Sequence, residues 1–144
     1  MSYEWYLRWY PQGRHAQEAR QSIARKSEIQ QGRNDQLERI RKELESVTQK
    51  VFEAYVRGDK ATYGSFLSGR FPSRAMFIER LKPQAEVASF EIRDFQVKRY
   101  DPDYEMYRAT MNVHYVSIFN KERNYRNYIL FLKTDRAWEI VEWH

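Results

Sequence analysis

The chain has 144 residues, enough for one ordinary domain with a core of its own. Hydrophobic residues make up 42% and aromatic residues 16%, while glycine and proline are too scarce for a linker-like or collagen-like chain. The absence of cysteine excludes disulfide frameworks, thiol catalysis, thiolate zinc sites and iron–sulfur clusters, and a net charge of +5 favours solubility and acidic partners.

Residues 1–13 are aromatic, with Trp5, Tyr6, Trp9 and Tyr10 set around Leu7 and Arg8, and they end at the breakers Pro11 and Gly13. Bulky aromatics at a terminus are costly for solubility unless they are buried, so this segment reads either as a cap folded onto the domain or as an anchor for a partner or a second copy. Contact with a membrane surface is a further reading, since Trp, Tyr and Arg suit the headgroup region. No basic region followed by a long apolar run opens the chain, and no stretch reaches the ~18 apolar residues of a membrane span. A soluble, cytoplasmic protein is the expectation.

Residues 14–33 are polar and basic, with Arg14, Arg20, Arg25, Lys26 and Arg33 outweighing Glu18 and Glu28. The segment 14–41 reads as helix with its charges spread around the circumference. It is either a solvated helix or a basic arm against an acidic partner, RNA included, because arginine beside aromatics serves phosphate contact and base stacking. No recognised RNA-binding motif accompanies it. Residues 1–33 are therefore read as an N-terminal arm and 34–144 as the folded domain.

Asn34 and Asp35 are N-cap types ahead of an apolar stripe of Leu37, Ile40, Leu44, Val47, Val51 and Ala54. Steps of three and four place these residues on one helical face, and Gly58-Asp59 supplies the stop. A second short helix is expected over 60–67, and a third over 73–82 with Ser73 as its N-cap and Pro83 as its end. Strands follow. Residues 89–92 and 95–97 alternate, with a one-residue slip at Arg93-Asp94 that predicts a β-bulge. Asp101-Pro102-Asp103 has turn chemistry. A long strand over 107–119 sets Ala109, Met111, Val113 and Tyr115 on one face and Arg108, Thr110, Asn112, His114 and Val116 on the other. A polar loop at 120–124 leads to a hairpin of 125–133 and 137–143. The expected fold is α+β: a curved, cone-like antiparallel sheet packed against three helices, with an extra helical arm at the N-terminus.

Three segments resemble the nuclear transport factor 2-like superfamily, which includes the SnoaL-like domains. They are the helix end Val51-Phe52-Glu53-Ala54-Tyr55-Val56-Arg57-Gly58-Asp59, the run Phe77-Ile78-Glu79-Arg80-Leu81-Lys82 ahead of the bulged strand, and the closing hairpin with Trp138-Glu139-Ile140-Val141-Glu142-Trp143-His144. The resemblance spans about 34–144 and is one of architecture. It implies a cone with a pocket between sheet and helices, and dimerisation through the outer sheet face. It does not imply one function, since its members include isomerases, dehydratases, transport factors and secretion scaffolds.

Enzymes of that kind hold a carboxylate base, or a histidine–aspartate pair, inside the cone with tyrosines nearby. Here His114 is the one histidine expected at such a place. Asn112 lies on its strand face, and Tyr55, Tyr63 and Phe77 on the helices are expected to line the same pocket. A convincing carboxylate is missing, because Asp94 and Asp59 read as bulge and helix-exit residues. No metal-ligand spacing, Gly-rich phosphate loop or nucleophile elbow is present, so neither a metal nor a cofactor is expected. The first reading of function is a non-catalytic binding or assembly module that docks to a protein partner or to itself through the arm, with Trp5, Tyr6, Arg8, Trp9, Tyr10, Arg14, Arg20 and Arg25 as its contact residues. The alternatives are a small-molecule lyase, isomerase or ligand pocket centred on His114, and an RNA-associated accessory protein.

Overall fold

The computed structural model describes residues 3–9, 13, 15–135 and 137–144, without the side chains of Tyr3, Trp5 and Tyr6. The chain divides into two compact units, residues 1–39 and 40–144.

Among the described residues four helices precede four strands: α1 (Tyr3–Trp9), α2 (Ala16–Arg57), α3 (Lys60–Phe66), α4 (Arg74–Glu79), β1 (Val87–Asp101), β2 (Met106–Ser117), β3 (Glu122–Lys133) and β4 (Trp138–Trp143). The largest departure from the sequence reading is α2. No helix begins at Asn34 or Asp35, because the backbone is already helical there and both residues lie inside α2. Their side chains accept hydrogen bonds from Gln30 and Gln31 one turn earlier, so they act as partners within the helix rather than as caps.

In the unit 40–144 the predicted stripe is the buried face of α2, with Ile40, Leu44, Val51 and Ala54 all buried. Phe52, one position off that stripe, is buried as well, and its ring packs on Phe90 and edge-on against Trp143. The helix ends in a Schellman arrangement. Gly58, at φ 70°, donates its N–H to the Tyr55 carbonyl, and Asp59 donates to Ala54. Asp59 then caps α3, its carboxylate accepting from the backbone N–H and the hydroxyl of Thr62.

The expected third helix is shorter than read and is not capped by Ser73. Ser73 sits in the left-handed region at φ 56° with no side-chain capping bond, and an N-cap needs extended backbone to aim its oxygen at the first turn. Arg74 fixes this corner instead, donating from Nε to the Leu67 carbonyl and from Nη2 to that of Gly64. Of the three helices of this unit, α4 buries none of its residues; it lies on α3, where Ile78 covers Gly64.

The four strands form one antiparallel, curved sheet in the order β1-β2-β3-β4. The predicted bulge is present: the β1–β2 register jumps between Arg93 and Gln96, with Asp94 at φ 54°. Asn112, across the strand, donates from Nδ2 to Asp94 Oδ2 at 3.0 Å and ties the bulge down. On β2 the burial alternates as expected, and Tyr107, Ala109, Met111 and Val113 are buried with Ile129, Phe131 and Ile140 from β3 and β4. The core is this sheet face together with the apolar faces of α2 and α3. The fold is α+β, as the order of elements implies.

Candidate functional site

Two chemically distinct groups of side chains occupy the two faces of the sheet, and the predicted site residues are divided between them. The helix-facing side carries an aromatic cluster. The Tyr55 and Tyr63 rings lie 6.1 Å apart, and the ring of Trp143 is 6.2 Å from the first and 6.1 Å from the second. Phe52, Phe90, Tyr115 and Tyr125 continue the cluster along the sheet. Its polar anchor is Asn127, which accepts a hydrogen bond from the Trp143 indole N–H at 3.0 Å. Burial pushes the Tyr63 phenol up to about 12, with the Tyr55 phenol adding to the shift. Burial likewise raises Tyr115 to about 12, with Tyr55 and Tyr125 contributing. These phenols therefore stay neutral hydrogen-bonding groups across the physiological range.

His114 and Asn112 do not join them. They alternate with the buried residues of β2 and lie on the opposite face of the sheet. Nδ1–H of His114 donates to Asn124 Oδ1 at 2.7 Å, and its Nε2 lies 3.4 Å from Glu122 Oε1. Its other cross-strand neighbour is Glu91, whose carboxylate takes two donations from Arg93 and is held below the usual carboxylate range by them. The expected grouping of His114 and Asn112 with Tyr55 and Tyr63 is thus not formed. The helices cover the apolar face of β2, so tyrosines on helices meet Tyr115, not the polar side of the strand. Phe77 is not a pocket residue either. It is half-exposed on α4 and packs edge-on against Phe71.

The sequence reading passed over Trp143, Asn127 and Tyr115 as site residues. The signal was present for Tyr115, which alternates in phase with Ala109, Met111 and Val113. Asn127 carries no such mark, because its role depends on which strand faces β3. Among the described residues no three His, Asp or Glu side chains come close enough to share a metal ion.

Of the predicted arm residues, Tyr10 and Arg14 and the side chains of Trp5 and Tyr6 lie outside the described residues. Arg8 and Trp9 in α1 are exposed, as are Arg20 and Arg25 in α2. Every residue from 24 to 36 is exposed, although the helix runs through them without a break. No helix among the described residues is long and apolar enough to cross a membrane.

The chain matches no family profile and no curated protein. It is similar to several solved structures. The association domain of CaMKII from C. elegans aligns with a TM-score of 0.54 and 13% identity over 76% of this chain and 97% of that one. A protein of Novosphingobium aromaticivorans described as an aromatic ring hydroxylase aligns at 0.51 and 12% identity, over 72% and 85%. The helical cell shape determining protein Pgp2 of Campylobacter jejuni aligns at 0.52 and 14% identity, over 70% of this chain. The present chain spans only 39% of that protein's length. Likenesses this distant show the fold alone: an α+β cone, on which both a protein described as a ring hydroxylase and an association domain are built.

Proposed function

We propose that this chain is a non-catalytic member of the nuclear transport factor 2-like superfamily, a binding or assembly module that docks to a protein partner or to a second copy of itself through its N-terminal segment. The observation that carries the non-catalytic part is the division of polar groups between the two sheet faces. A general base must reach a substrate held beside the groups that polarise it. Here the mid-strand histidine is on one side of the sheet, hydrogen-bonded to Asn124, and the tyrosines are on the other.

The bare part of α2 supports the assembly reading. Isolated helices are marginal in water, and helices in proteins owe most of their stability to packing against something. Residues 24–36 contain Ser27, Gly32, Asn34 and Asp35, all weak helix formers, yet they stay exposed and helical. A partner laid along this segment supplies the missing packing. That an association domain is built on this fold is consistent with such a role.

The test is sedimentation velocity on the full chain, on Gln30→Pro and on His114→Ala. A proline at position 30 breaks the helix and should abolish association, while His114→Ala should leave it unchanged. Association that survives Gln30→Pro at full strength contradicts the proposal.

One observation favours a second reading. The phenols of Tyr55, Tyr63 and Tyr115, beside the Trp143 ring, are chemistry suited to a flat ligand with a hydrogen-bond acceptor. That reading predicts saturable quenching of tryptophan fluorescence by such a ligand, lost in Tyr63→Phe. Quenching that Tyr63→Phe leaves intact rules it out.

A further inference from the structure

The segment from Ser68 to Lys82 combines three features that the domain's fold does not require. First, α4 buries none of its residues, so it lies open on the surface. Second, it displays an adjacent apolar pair, Met76 and Phe77, at 40% and 48% exposure. The pair is held firmly: Phe77 rests edge-on against the buried ring of Phe71, and Arg74 is bonded to two backbone carbonyls beneath. Third, exposed cations flank the pair along the chain. Arg70, Arg80 and Lys82 are exposed, and Glu79 is the one acid in the segment. Lys60 brings a further ammonium to the end of α4, donating to the Glu79 carbonyl at 2.8 Å.

We infer that this surface docks onto an anionic lipid bilayer, with Met76 and Phe77 entering the headgroup layer and Arg70, Arg80 and Lys82 resting on its negative charge. Charge complementarity selects an acidic surface. The apolar pair selects a lipid one: bulky apolar side chains among cations suit a flat, fluid layer, whose interior takes the former and whose headgroups take the latter. Aromatic and thioether side chains tolerate that interface well, and long cationic stems follow them by keeping their charged ends at headgroup level.

The probe is co-sedimentation of the full chain with vesicles of phosphatidylcholine and phosphatidylserine, beside vesicles of phosphatidylcholine alone. Binding is expected to the anionic vesicles only and to weaken with added salt. Met76→Ser with Phe77→Ser should weaken it by about tenfold, and Arg80→Gln or Lys82→Gln by roughly fivefold each. Ile118→Ser with Phe119→Ser serves as the control, because that pair is still more exposed, at 58% and 69%, but lies in the turn between β2 and β3. All substituted side chains are exposed, so unchanged circular dichroism and thermal unfolding certify the fold. Equal binding to neutral vesicles, or an equal loss in the control, overturns the inference. Failure to bind either vesicle overturns it too and leaves the surface to an acidic protein.

Discussion

Gly58→Ala adds one methyl group at the joint between α2 and α3, and the geometry there allows its cost to be worked out. Gly58 has φ 70°, where an L side chain costs about 1–2 kcal/mol. A Cβ at this position would stand 2.5 Å from Pro83 N and 2.9 Å from the Lys82 carbonyl carbon. Both are backbone atoms, and the segment cannot simply swing away, because Gln84 N–H is bonded to the Val56 carbonyl at 2.8 Å. Forcing extra volume into such a place costs about 1–3 kcal/mol. The two effects together give a loss of about 3 kcal/mol, a large part of the ~5–15 kcal/mol that holds an ordinary domain together. Urea unfolding followed by tryptophan fluorescence and by circular dichroism measures it directly. A loss below about 1 kcal/mol would show that the 82–84 segment yields easily and that the close approach is not a constraint.

Gly32 is the opposite case. It lies in the exposed interior of α2 with nothing within 4 Å of an added Cβ, so Gly32→Ala should raise helix content and stability by up to ~1 kcal/mol, read by circular dichroism and denaturant midpoint. Trp138→Phe removes the indole N–H donated to Glu43 Oε2 at 3.1 Å and should cost about 2 kcal/mol, with a smaller loss for Glu43→Gln, which keeps an acceptor oxygen but not the charge; no loss at all in Glu43→Gln would deny the charge a role. Tyr63 and Tyr115 ionise near 12 in the folded chain and near 10 once unfolded, so between those values the unfolded chain gives up protons that the folded one keeps. The contribution of these two phenols is therefore constant below about pH 10 and falls as pH rises from about 10 towards 12, and Tyr63→Phe should flatten that decline in pH-dependent unfolding.

The fold was legible where local chemistry and burial agree. The stripe from Leu37 to Ala54, the Gly58-Asp59 exit, the phase slip at Arg93-Asp94 and the alternation of β2 each have one physical cause, and each is where the sequence places it. Two features were not legible because the deciding partner is distant or the backbone overrides the side chain. Asn34 and Asp35 are good caps only if a helix starts there, and a helix already running through them turns the same side chains into one-turn partners. Ser73 has the right side chain for a cap but a left-handed backbone. The site was misread for a third reason. Catalysis needs polar groups, which points to the polar face of β2 as the pocket face, whereas the helices must cover the apolar face. Tyr55 and Tyr63 therefore meet Tyr115 and Trp143, and His114 lies across the sheet.

The most direct test of the assembly role is the solution mass of the full chain beside that of a chain beginning at Asn34, by light scattering after size exclusion. Docking to a second copy gives a mass of more than one chain for the first and of a single chain for the second, with the 40–144 unit folded in both. The same number of chains in both would contradict it, and the aromatic cluster on the helix-facing side would then become the place to look for function.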